Sequence, residues 1–421
     1  MVRVFVQTMR CLAVVIAFAC ALGIWSGQAH GAPGVQFGIQ DDAWLEFGPG
    51  TLSDRVAKLD RLGIEVVRVT LNWQRAEPGE GSYSWGRTDR LLSALRARGL
   101  EPVVTLWGTP DWANGGASPN VAPSRGEDLQ RFAEAAAQRY RFVSKWIMWN
   151  EPNKPTWLKP TSAKTYVSQI LNPGYRGIKA VNPRARVGGG VTGPRAGKGG
   201  VSPVDFIRAM DGAGARLDAY AHHPYPVFPG DTPFTGGCLC ETLTMASLER
   251  LTQFVGRAFP NARIWLTEYA YQTNPPDVFG VSPNDQARFV GEAARRVYLA
   301  PKVDMLIHYL YRDEPELARW QSGLETVRGV EKPALAAMML PLAQVQRRGT
   351  STSVWGQVRP GDGHQSYVLQ RWSGGHWVGV GGAVLTDRRG YFRRTVPAPK
   401  GAKMRLWYAS RRLASPALVV R

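Results

Sequence analysis

Cysteine is one of the scarcest residues in this 421-residue chain, with only four copies. Two of them lie in an apolar segment near the N-terminus, which leaves Cys238 and Cys240 in the sequence GGCLCET. The absence of a second such pair argues against a structural zinc site, because those sites use spaced pairs of ligands. Only His222 and His223 lie near the remaining pair. A disulfide between Cys238 and Cys240 is therefore favoured over a metal site, and no metal is predicted.

Acidic residues are also in short supply. The chain has 33 Asp and Glu against 52 Lys and Arg, which gives a formal net charge of +19. From residue 350 onward, twelve basic residues stand against only Asp362 and Asp387. A basic surface of this kind is attracted to the anionic polymers and phospholipids of a cell envelope. Nucleic acid would be the generic partner for such charge, but the export signal described next makes that partner unexpected.

Long apolar runs are absent after the first, Cys11–Trp25. Basic residues precede this run and the small residues of GQAHGA follow it, a pattern typical of a cleaved signal peptide, here residues 1–32. The run is too short for a comfortable membrane span. Cys20, in AFAC, resembles a bacterial lipoprotein site loosely, so an anchored form is the alternative. We therefore predict a secreted, extracellular protein.

Eight short β-rich segments alternate with amphipathic helix-like segments over most of the chain. They are VQFGI from Val35, EVVRVTL from Glu65, PVVTLW from Pro102, KWIMWN from Lys145, ARVGGG from Ala185, LDAYAHH from Leu217, RIWLTE from Arg263 and DMLIHYL from Asp304. The alternative arrangement, an open doubly wound sheet, is disfavoured because no glycine-rich fingerprint follows the first strand. The pattern predicts an α/β protein with a (β/α)8 TIM barrel over residues 33–347.

The last part of the chain has a different pattern. A helix-like segment, EKPALAAMMLPLAQVQRR, is expected to end the barrel. Five short alternating segments follow, separated by the turn signals PGDG, SGG and DRRG. They predict a small β-sandwich accessory domain over residues 351–421. Its tryptophans could bind glycan or pack against the barrel, and they are Trp355, Trp372, Trp377 and Trp407.

Two glutamates end predicted strands four and seven. Glu151 lies in the sequence WNEPN and Glu268 in WLTEY. The C-terminal ends of all strands of a barrel meet on one face, so these two carboxyl groups are expected to face each other. Cleavage of a glycosidic bond needs such a pair, one protonated to donate to the leaving oxygen and one ionised to attack the anomeric carbon. The charge on the ionised carboxylate raises the pKa of its partner.

These motifs resemble clan A of the glycoside hydrolases, which includes the cellulase-like family 5 and the xylosidase-like family 39 enzymes. The resemblance extends over nearly the whole predicted barrel, from about Gly38 to the segment WQSGLETVRGVEKPALAAM. It implies that Glu151 is the general acid/base and Glu268 the nucleophile. It also implies that Asn150, in the Asn-Glu pair, binds the 2-hydroxyl of the substrate.

The same resemblance assigns supporting roles to two further motifs. His223-Pro224-Tyr225 matches an H-x-Y element of strand six, which implies that Tyr225 hydrogen-bonds Glu268 and holds it ionised. Arg68, in VVRVTLNW, matches an arginine late in strand two with a similar charge-fixing role.

Two strand ends depart from the pattern of the clan. Strand three reads TLWGTPDWA where many members have a histidine, and strand eight reads IHYLYRD where many have a tryptophan platform. His308 and Tyr309 are therefore candidates for contacts with the substrate. Aromatic side chains in strand-end loops can stack on pyranose rings or pack in the core. They are Trp73, Trp107, Trp112, Trp157 and Trp320, of which Trp107 is the best candidate for stacking.

The sequence thus predicts a secreted retaining β-glycosidase that hydrolyses a β-linked polysaccharide or oligosaccharide without a cofactor. One alternative is a transglycosylase, in which a sugar hydroxyl replaces water at the same site. Another is a non-catalytic glycan-binding or envelope protein on the same barrel. The presence of both glutamates together with their partner residues favours the enzyme over the scaffold.

Overall fold

The computed structural model describes residues 34–237 and 241–421. The predicted signal peptide and the Cys238–Cys240 pair lie outside the described residues. Eight parallel strands form a closed barrel in which each pairs with the next and the eighth pairs with the first. They are β1 (Gln36–Gln40), β2 (Val66–Asn72), β3 (Glu101–Trp107), β4 (Lys145–Met148), β5 (Arg186–Thr192), β6 (Ala219–His222), β7 (Arg263–Tyr269) and β8 (Val303–Tyr309). All eight overlap the predicted segments, so the barrel is confirmed over the open sheet.

Helices connect the strands. They are α1 (Asp42–Phe47), α2 (Leu52–Arg61), α3 (Trp73–Ala76), α4 (Gly86–Ala97), α5 (Asp111–Asn114), α6 (Gly126–Arg139), α7 (Ala163–Thr165), α8 (Asn172–Val181), α9 (Pro203–Gly212), α10 (Leu248–Ala258), α11 (Pro283–Tyr298) and α12 (Pro333–Met339). A π-helical stretch (Tyr166–Leu171) joins α7 to α8, and a 3₁₀ turn (Met245–Ser247) precedes α10. Within the described ranges, no helix is long and apolar enough to cross a membrane.

Local sequence sets the ends of these helices. Thr51 caps α2 in a capping box with Asp54, so two otherwise unpaired donors at the first turn are satisfied. Two helices stop where glycine adopts a left-handed backbone, at Gly63 after α2 (φ 68°) and Gly99 after α4 (φ 71°). Both glycines direct the chain into the following strand.

Side chains point alternately into and out of the barrel along each strand, and those that point inward fill its interior. Val66 points into the interior, so Arg68, two residues later on β2, points inward one layer nearer the C-terminal mouth. The bulky indole of Trp265 also lies inside the barrel. It fits because β5 has no side chain at Gly188, where a Cβ would lie 2.8 Å from the Trp265 ring. The interior of the barrel is therefore filled by apolar side chains, and the charged side chain of Arg68 lies above them at the C-terminal end.

The C-terminal region forms two antiparallel sheets with their own buried core. Their strands are β9 (Leu342–Arg348), β10 (Ser351–Gln357), β11 (Ser366–Ser373), β12 (His376–Gly379), β13 (Val384–Leu385), β14 (Tyr391–Pro397), β15 (Lys403–Tyr408), β16 (Leu413–Ala414) and β17 (Leu418–Val419). One sheet has the order β14-β10-β9, and the other has β12-β11-β15-β16 with β13 on β11 and β17 on β15. The predicted small C-terminal β-domain is confirmed.

The junction between barrel and sheets differs from the prediction. The last helix ends at Met339, whereas the sequence pattern extended it to residue 348. Pro341 disfavours a helical backbone at Leu340, which adopts φ −131° and ψ 66°. The chain then enters β9, so the C-terminal sheets begin at Leu342 and not at residue 351.

Aromatic packing attaches the sheets to the barrel. Trp355 is buried, and its ring centroid lies 5.3 Å from that of Tyr298 on α11 and 5.8 Å from that of Tyr391. Arg359 is also buried, 3.6 Å from the centroid of the Phe37 ring. Trp355 therefore serves packing, which leaves glycan binding open only for the other tryptophans of this region.

Candidate active site

The C-terminal ends of the barrel strands surround a cleft of about 710 Å³. Its size is within the usual range for a site that takes a small ligand or part of a polymer. Most of the residues singled out from the sequence line it. These are Arg68, Trp107, Asn150, Glu151, Tyr225, Glu268 and Tyr309. His223 lies beneath them and is fully buried.

Arg68 links several elements at the floor of the cleft. Its side chain is only 1% exposed. Nη1 donates to Glu268 Oε1 (2.6 Å) and to Gln40 Oε1 (2.7 Å). Nη2 donates to Asn150 Oδ1 (2.9 Å), and Nε donates to Thr105 Oγ1 (2.9 Å). A guanidinium is a rigid fork of donors, so these bonds fix the carboxylate and the amide relative to each other.

Glu268 is held on both of its oxygens. Arg68 binds Oε1, and the hydroxyl of Tyr225 donates to Oε2 (3.1 Å). Burial and the nearby carboxylate of Glu268 raise the pKa of Tyr225 well above its usual value, so the phenol keeps its proton. These two donors hold the carboxyl group in place beside the cleft.

His223 connects the two glutamates. Its Nδ1 lies 3.1 Å from Glu151 Oε1 and 3.5 Å from Glu268 Oε2. Its Nε2 lies 3.3 Å from Nη1 of Arg68. A carboxylate can only accept, so Nδ1 carries the proton at the contact with Glu151. The carboxyl groups from β4 and β7 thus meet across one imidazole nitrogen.

Glu151 has a second partner in its own loop. Lys154 places Nζ 2.7 Å from Glu151 Oε2, and the side chains are 27% and 8% exposed, respectively. Burial alone would raise the pKa of Glu151. The hydrogen bond from His223 and the ammonium of Lys154 outweigh burial, so the pKa of Glu151 lies below its usual range. In the free protein this carboxyl group is ionised.

The backbone around Glu151 is strained. Trp149 and Glu151 both have positive φ, at 78° and 35°, in a region that non-glycine residues seldom adopt. The turn is held because Trp149 N donates to Leu106 O (2.8 Å) and Trp149 Nε1 to Trp157 O (2.7 Å). Such conformations persist only where the surroundings fix them, and they cluster at functional sites.

Aromatic side chains form two walls of the cleft. On one side, the Trp107 ring lies 5.6 Å from that of Trp157. On the other, Trp320 lies 4.9 Å from Tyr225 and 5.6 Å from Tyr309. Trp320, at 36% exposure, supplies a tryptophan beside the end of β8 although that strand itself carries none. The five rings provide flat surfaces suited to the apolar faces of sugars.

Three of the candidate residues do not line the cleft. His308 points outward between β8 and α11, where it is buried and its Nε2 lies 3.0 Å from Ser322 O. The reason is strand alternation: Tyr309 faces the cleft, so its neighbour faces the helices. Trp73 is buried against Phe132, and Trp112 packs edge-on against Trp73. These two rings support the loop after β2.

Several residues that line the cleft or support it were not predicted from the sequence. Gln40 and Thr105 come from β1 and β3 and were not distinguishable from other polar strand residues. Lys154 lies three residues after Glu151, Arg75 lies on α3 after β2, and Arg195 lies in the loop after β5. Basic residues directly after predicted strands were the available signal, but the high overall charge obscured it. Within the described residues, no group of three or more His, Cys, Asp or Glu side chains could hold a metal.

Comparisons with known proteins support the fold. No family model matches this chain. A stretch of 105 residues is 31% identical to Beta-glucosidase 40 of Arabidopsis thaliana, which is 23% of this chain and 21% of that protein. The match thus spans about a fifth of the length of that relative.

Solved structures are similar over more of the chain. A family 39 glycoside hydrolase from Bacteroides cellulosilyticus WH2 has a TM-score of 0.60 and 17% identity, covering 88% of this chain and 81% of that chain. The GH39 enzyme from Xanthomonas axonopodis pv. citri has a TM-score of 0.59 and 16% identity, over 88% and 93%. A glucosidase from Croceicoccus marinus has a TM-score of 0.58 and 12% identity, over 89% and 95%. At these identities the similarity confirms the (β/α)8 barrel fold predicted from the sequence.

Proposed function

We propose that this chain is a secreted β-glycosidase that hydrolyses a β-linked polysaccharide or oligosaccharide with retention of anomeric configuration. The observation that carries the proposal is the position of Glu151 and Glu268 on either side of His223 Nδ1, at 3.1 and 3.5 Å. The sum of these distances reaches only the lower end of the roughly 6.5–9.5 Å that separates the carboxyl groups of inverting enzymes. Because both oxygens contact the same nitrogen, their separation is shorter than this sum, which suits direct attack by a carboxylate better than attack by an intervening water.

In the first step, Glu268 attacks the anomeric carbon as the bond from that carbon to the leaving oxygen breaks. Glu151, which takes up a proton from solvent before this step, gives that proton to the leaving oxygen, and a glycosyl ester forms on Glu268. Arg68 and Tyr225 hold the attacking carboxylate in place before the reaction, so little reorganisation is needed. His223 keeps the proton donor oriented through its bond to Glu151.

In the second step, water replaces the leaving group. Glu151 is now a carboxylate and takes a proton from the water, whose oxygen attacks the anomeric carbon. The ester bond to Glu268 breaks and the carboxylate is regenerated. Lys154 stabilises the ionised form of Glu151, so it favours this step and opposes proton donation in the first.

The lining of the cleft supports a saccharide as the substrate. Asn150 accepts from Arg68 through Oδ1, which turns its amide NH₂ toward a hydroxyl beside the reacting carbon. Trp107, Trp157 and Trp320 present ring surfaces beyond that point. Several stacking surfaces along an open cleft suit a chain of sugars better than a single one. The N-terminal segment of residues 1–32 would place the protein outside the cell, where polysaccharides are found.

The proposal is tested by turnover of β-linked aryl glycosides and polysaccharides with the purified protein. We expect hydrolysis by the wild type and a loss of roughly 10⁴-fold or more in kcat for Glu268→Gln. Glu151→Gln should lose most activity on poor leaving groups, because those depend on the donated proton. Glu127→Gln, an exposed position on α6, is the matched control and should keep full activity.

Proton NMR of the first product distinguishes the mechanisms. A β-anomer formed before mutarotation supports retention. An α-anomer would indicate inversion and contradict the proposed role of Glu268. If the wild type binds glycans but cleaves none, and both glutamine variants bind equally, the non-catalytic alternative replaces the proposal.

A further inference from the structure

We infer that the substrate carries anionic groups on its sugars, such as uronate carboxylates, and that Arg75, Arg195 and Lys154 bind them along the cleft. This inference rests on the proposed function and specifies its substrate class. Cellulose-like and other neutral glycans would then be poor substrates.

The charged side chains of the cleft are not balanced. Five are basic, namely Arg68, Arg75, Arg87, Lys154 and Arg195. Three are acidic, namely Asp42, Glu151 and Glu268. The two glutamates are the proposed catalytic pair, and Asp42 accepts hydrogen bonds from the backbone and hydroxyl of Thr70 at 2.8 Å each. Asp42 keeps its charge but makes no ion pair with a basic side chain of the described chain, and the basic side chains of the cleft outnumber the acidic ones by two.

Two of the arginines have no partner among the described residues. Arg68 is paired with Glu268, and Arg87 with Glu46 outside the cleft. Arg75 and Arg195 are exposed on the lining, and no carboxylate of the described chain lies within ion-pair distance of either. A guanidinium matches a planar carboxylate or a sulfate with two parallel hydrogen bonds. These two side chains are therefore available to anions of a ligand.

Arg195 and Lys154 lie on the side of the leaving group. Lys154 contacts Glu151, the proposed donor to the leaving oxygen. The loop after β5 approaches this pair closely because Gly193 has no side chain, and a Cβ there would lie 2.6 Å from Lys154 Nζ. Arg195 follows two residues later and lines the same cleft. A sugar bound beyond Glu151 would meet both cations.

Arg75 would meet a different sugar. It lies on α3, after β2, and β3 separates β2 from β4, the strand that precedes Glu151. Trp107, at the end of β3, lies between these positions, and its ring contacts that of Trp157. Cations thus occur on both sides of a surface suited to stacking. Such spacing fits a polymer in which more than one sugar is charged.

An anionic sugar would also assist the proposed chemistry. In the free protein, Lys154 holds Glu151 in its ionised form, which cannot donate a proton. A carboxylate of the leaving-group sugar would compete for the ammonium and bring a second negative charge close to Glu151. Both changes favour the protonated form that the first step requires. Neutral substrates would lack this effect, so preference for the anionic substrate should extend to kcat.

The test compares acidic β-glycans with matched neutral counterparts. Affinity electrophoresis at low temperature measures binding to a uronate polysaccharide and to its carboxyl-reduced form, and to a sulfated polysaccharide and its desulfated form. We expect the wild type to bind at least one anionic member more tightly than its neutral partner. The double variant Arg75→Gln/Arg195→Gln should weaken that binding about tenfold, from two exposed ion pairs, and leave neutral binding unchanged.

The basic C-terminal surface requires a control, because a protein of charge +19 attracts polyanions generally. Arg411→Gln removes one exposed charge far from the cleft lining and should change binding by less than twofold. Equal weakening by Arg411→Gln and by each single cleft variant would overturn the inference, as would equal binding of anionic and neutral glycans.

Turnover separates this inference from the function on which it rests. Hydrolysis of the neutral and anionic partners at equal kcat/KM would overturn the anionic substrate and leave the glycosidase intact. Binding that prefers anionic glycans through Arg75 and Arg195, without cleavage of any of them, would retain the ligand class and reject the activity.

Discussion

Replacement of Lys154 by glutamine tests the electrostatics of the proposed acid. Lys154 contributes the positive charge nearest to Glu151, with Nζ 2.7 Å from Oε2. Glu151 also faces His223 from the loop after β6, and Glu268 from β7 lies across that imidazole. The variant removes one cation and leaves these neighbours in place. The pKa of Glu151 should therefore rise.

The size of the effect follows from the exposure of the pair. An opposite charge close to a carboxyl group lowers its pKa by about 1–3. The Lys154 side chain is 27% exposed, so solvent weakens the interaction. We therefore expect the lower end of that range, about one pH unit or ~1.4 kcal/mol.

The pH dependence of kcat/KM reports this change. The proposed acid must be protonated in the first step, so its pKa sets the alkaline limb of the profile of the free enzyme. Lys154→Gln should move that limb upward by about one pH unit. Lys154→Arg keeps the charge and should leave it in place. Lys198→Gln removes an exposed charge after β5 and is the matched control. A limb that stays in place or moves downward in Lys154→Gln would refute the reasoning.

Three further predictions concern single contacts. Tyr225→Phe removes the hydroxyl that donates to Glu268 and should lower kcat by roughly 10- to 150-fold, with an unchanged circular dichroism spectrum. His308→Asn should leave kcat/KM within about twofold but lower the free energy of unfolding by about 1–3 kcal/mol, since His308 bonds Ser322 O outside the cleft. Burial lowers the pKa of His308 to about 4, so its contribution is complete above about pH 6.5 and lost as the pH falls toward 4. Urea titrations at several pH values should show a smaller acid-dependent loss in the variant than in the wild type. Trp355→Ala should lower the free energy of unfolding by about 3–5 kcal/mol in thermal denaturation, because it removes the ring packed on Tyr298.

The barrel was predictable because its strands are nearly continuous apolar runs at regular spacing. Once the barrel is assumed, strand ends must converge, which brings Glu151 and Glu268 together although 117 positions separate them in the sequence. Arg68 was predicted from the resemblance of VVRVTLNW to strand two of clan A, and the structure places its side chain against Glu268. The predicted contact between Tyr225 and Glu268 is present in the structure at 3.1 Å.

The sequence did not show which of two adjacent strand residues faces the interior of the barrel and which faces the surrounding helices. His308 and Tyr309 are adjacent, and the sequence does not state which of them points into the barrel. The helix before the C-terminal sheets was overextended because the residues after Pro341 are compatible with helix, and only pairing with β10 makes them a strand. Lys154 was missed because the sequence does not reveal that its loop turns back onto Glu151.

The most direct test of the central claim is the identity of the residue that becomes glycosylated. The Glu151→Gln variant should form the glycosyl ester from a β-glycoside with a good leaving group but hydrolyse it slowly, since it lacks the base. Mass spectrometry of the intact protein and of its peptides should then show one added sugar, located on Glu268. If the wild type turns over the same glycoside and the variant carries no sugar, or carries it on another residue, Glu268 is not the nucleophile.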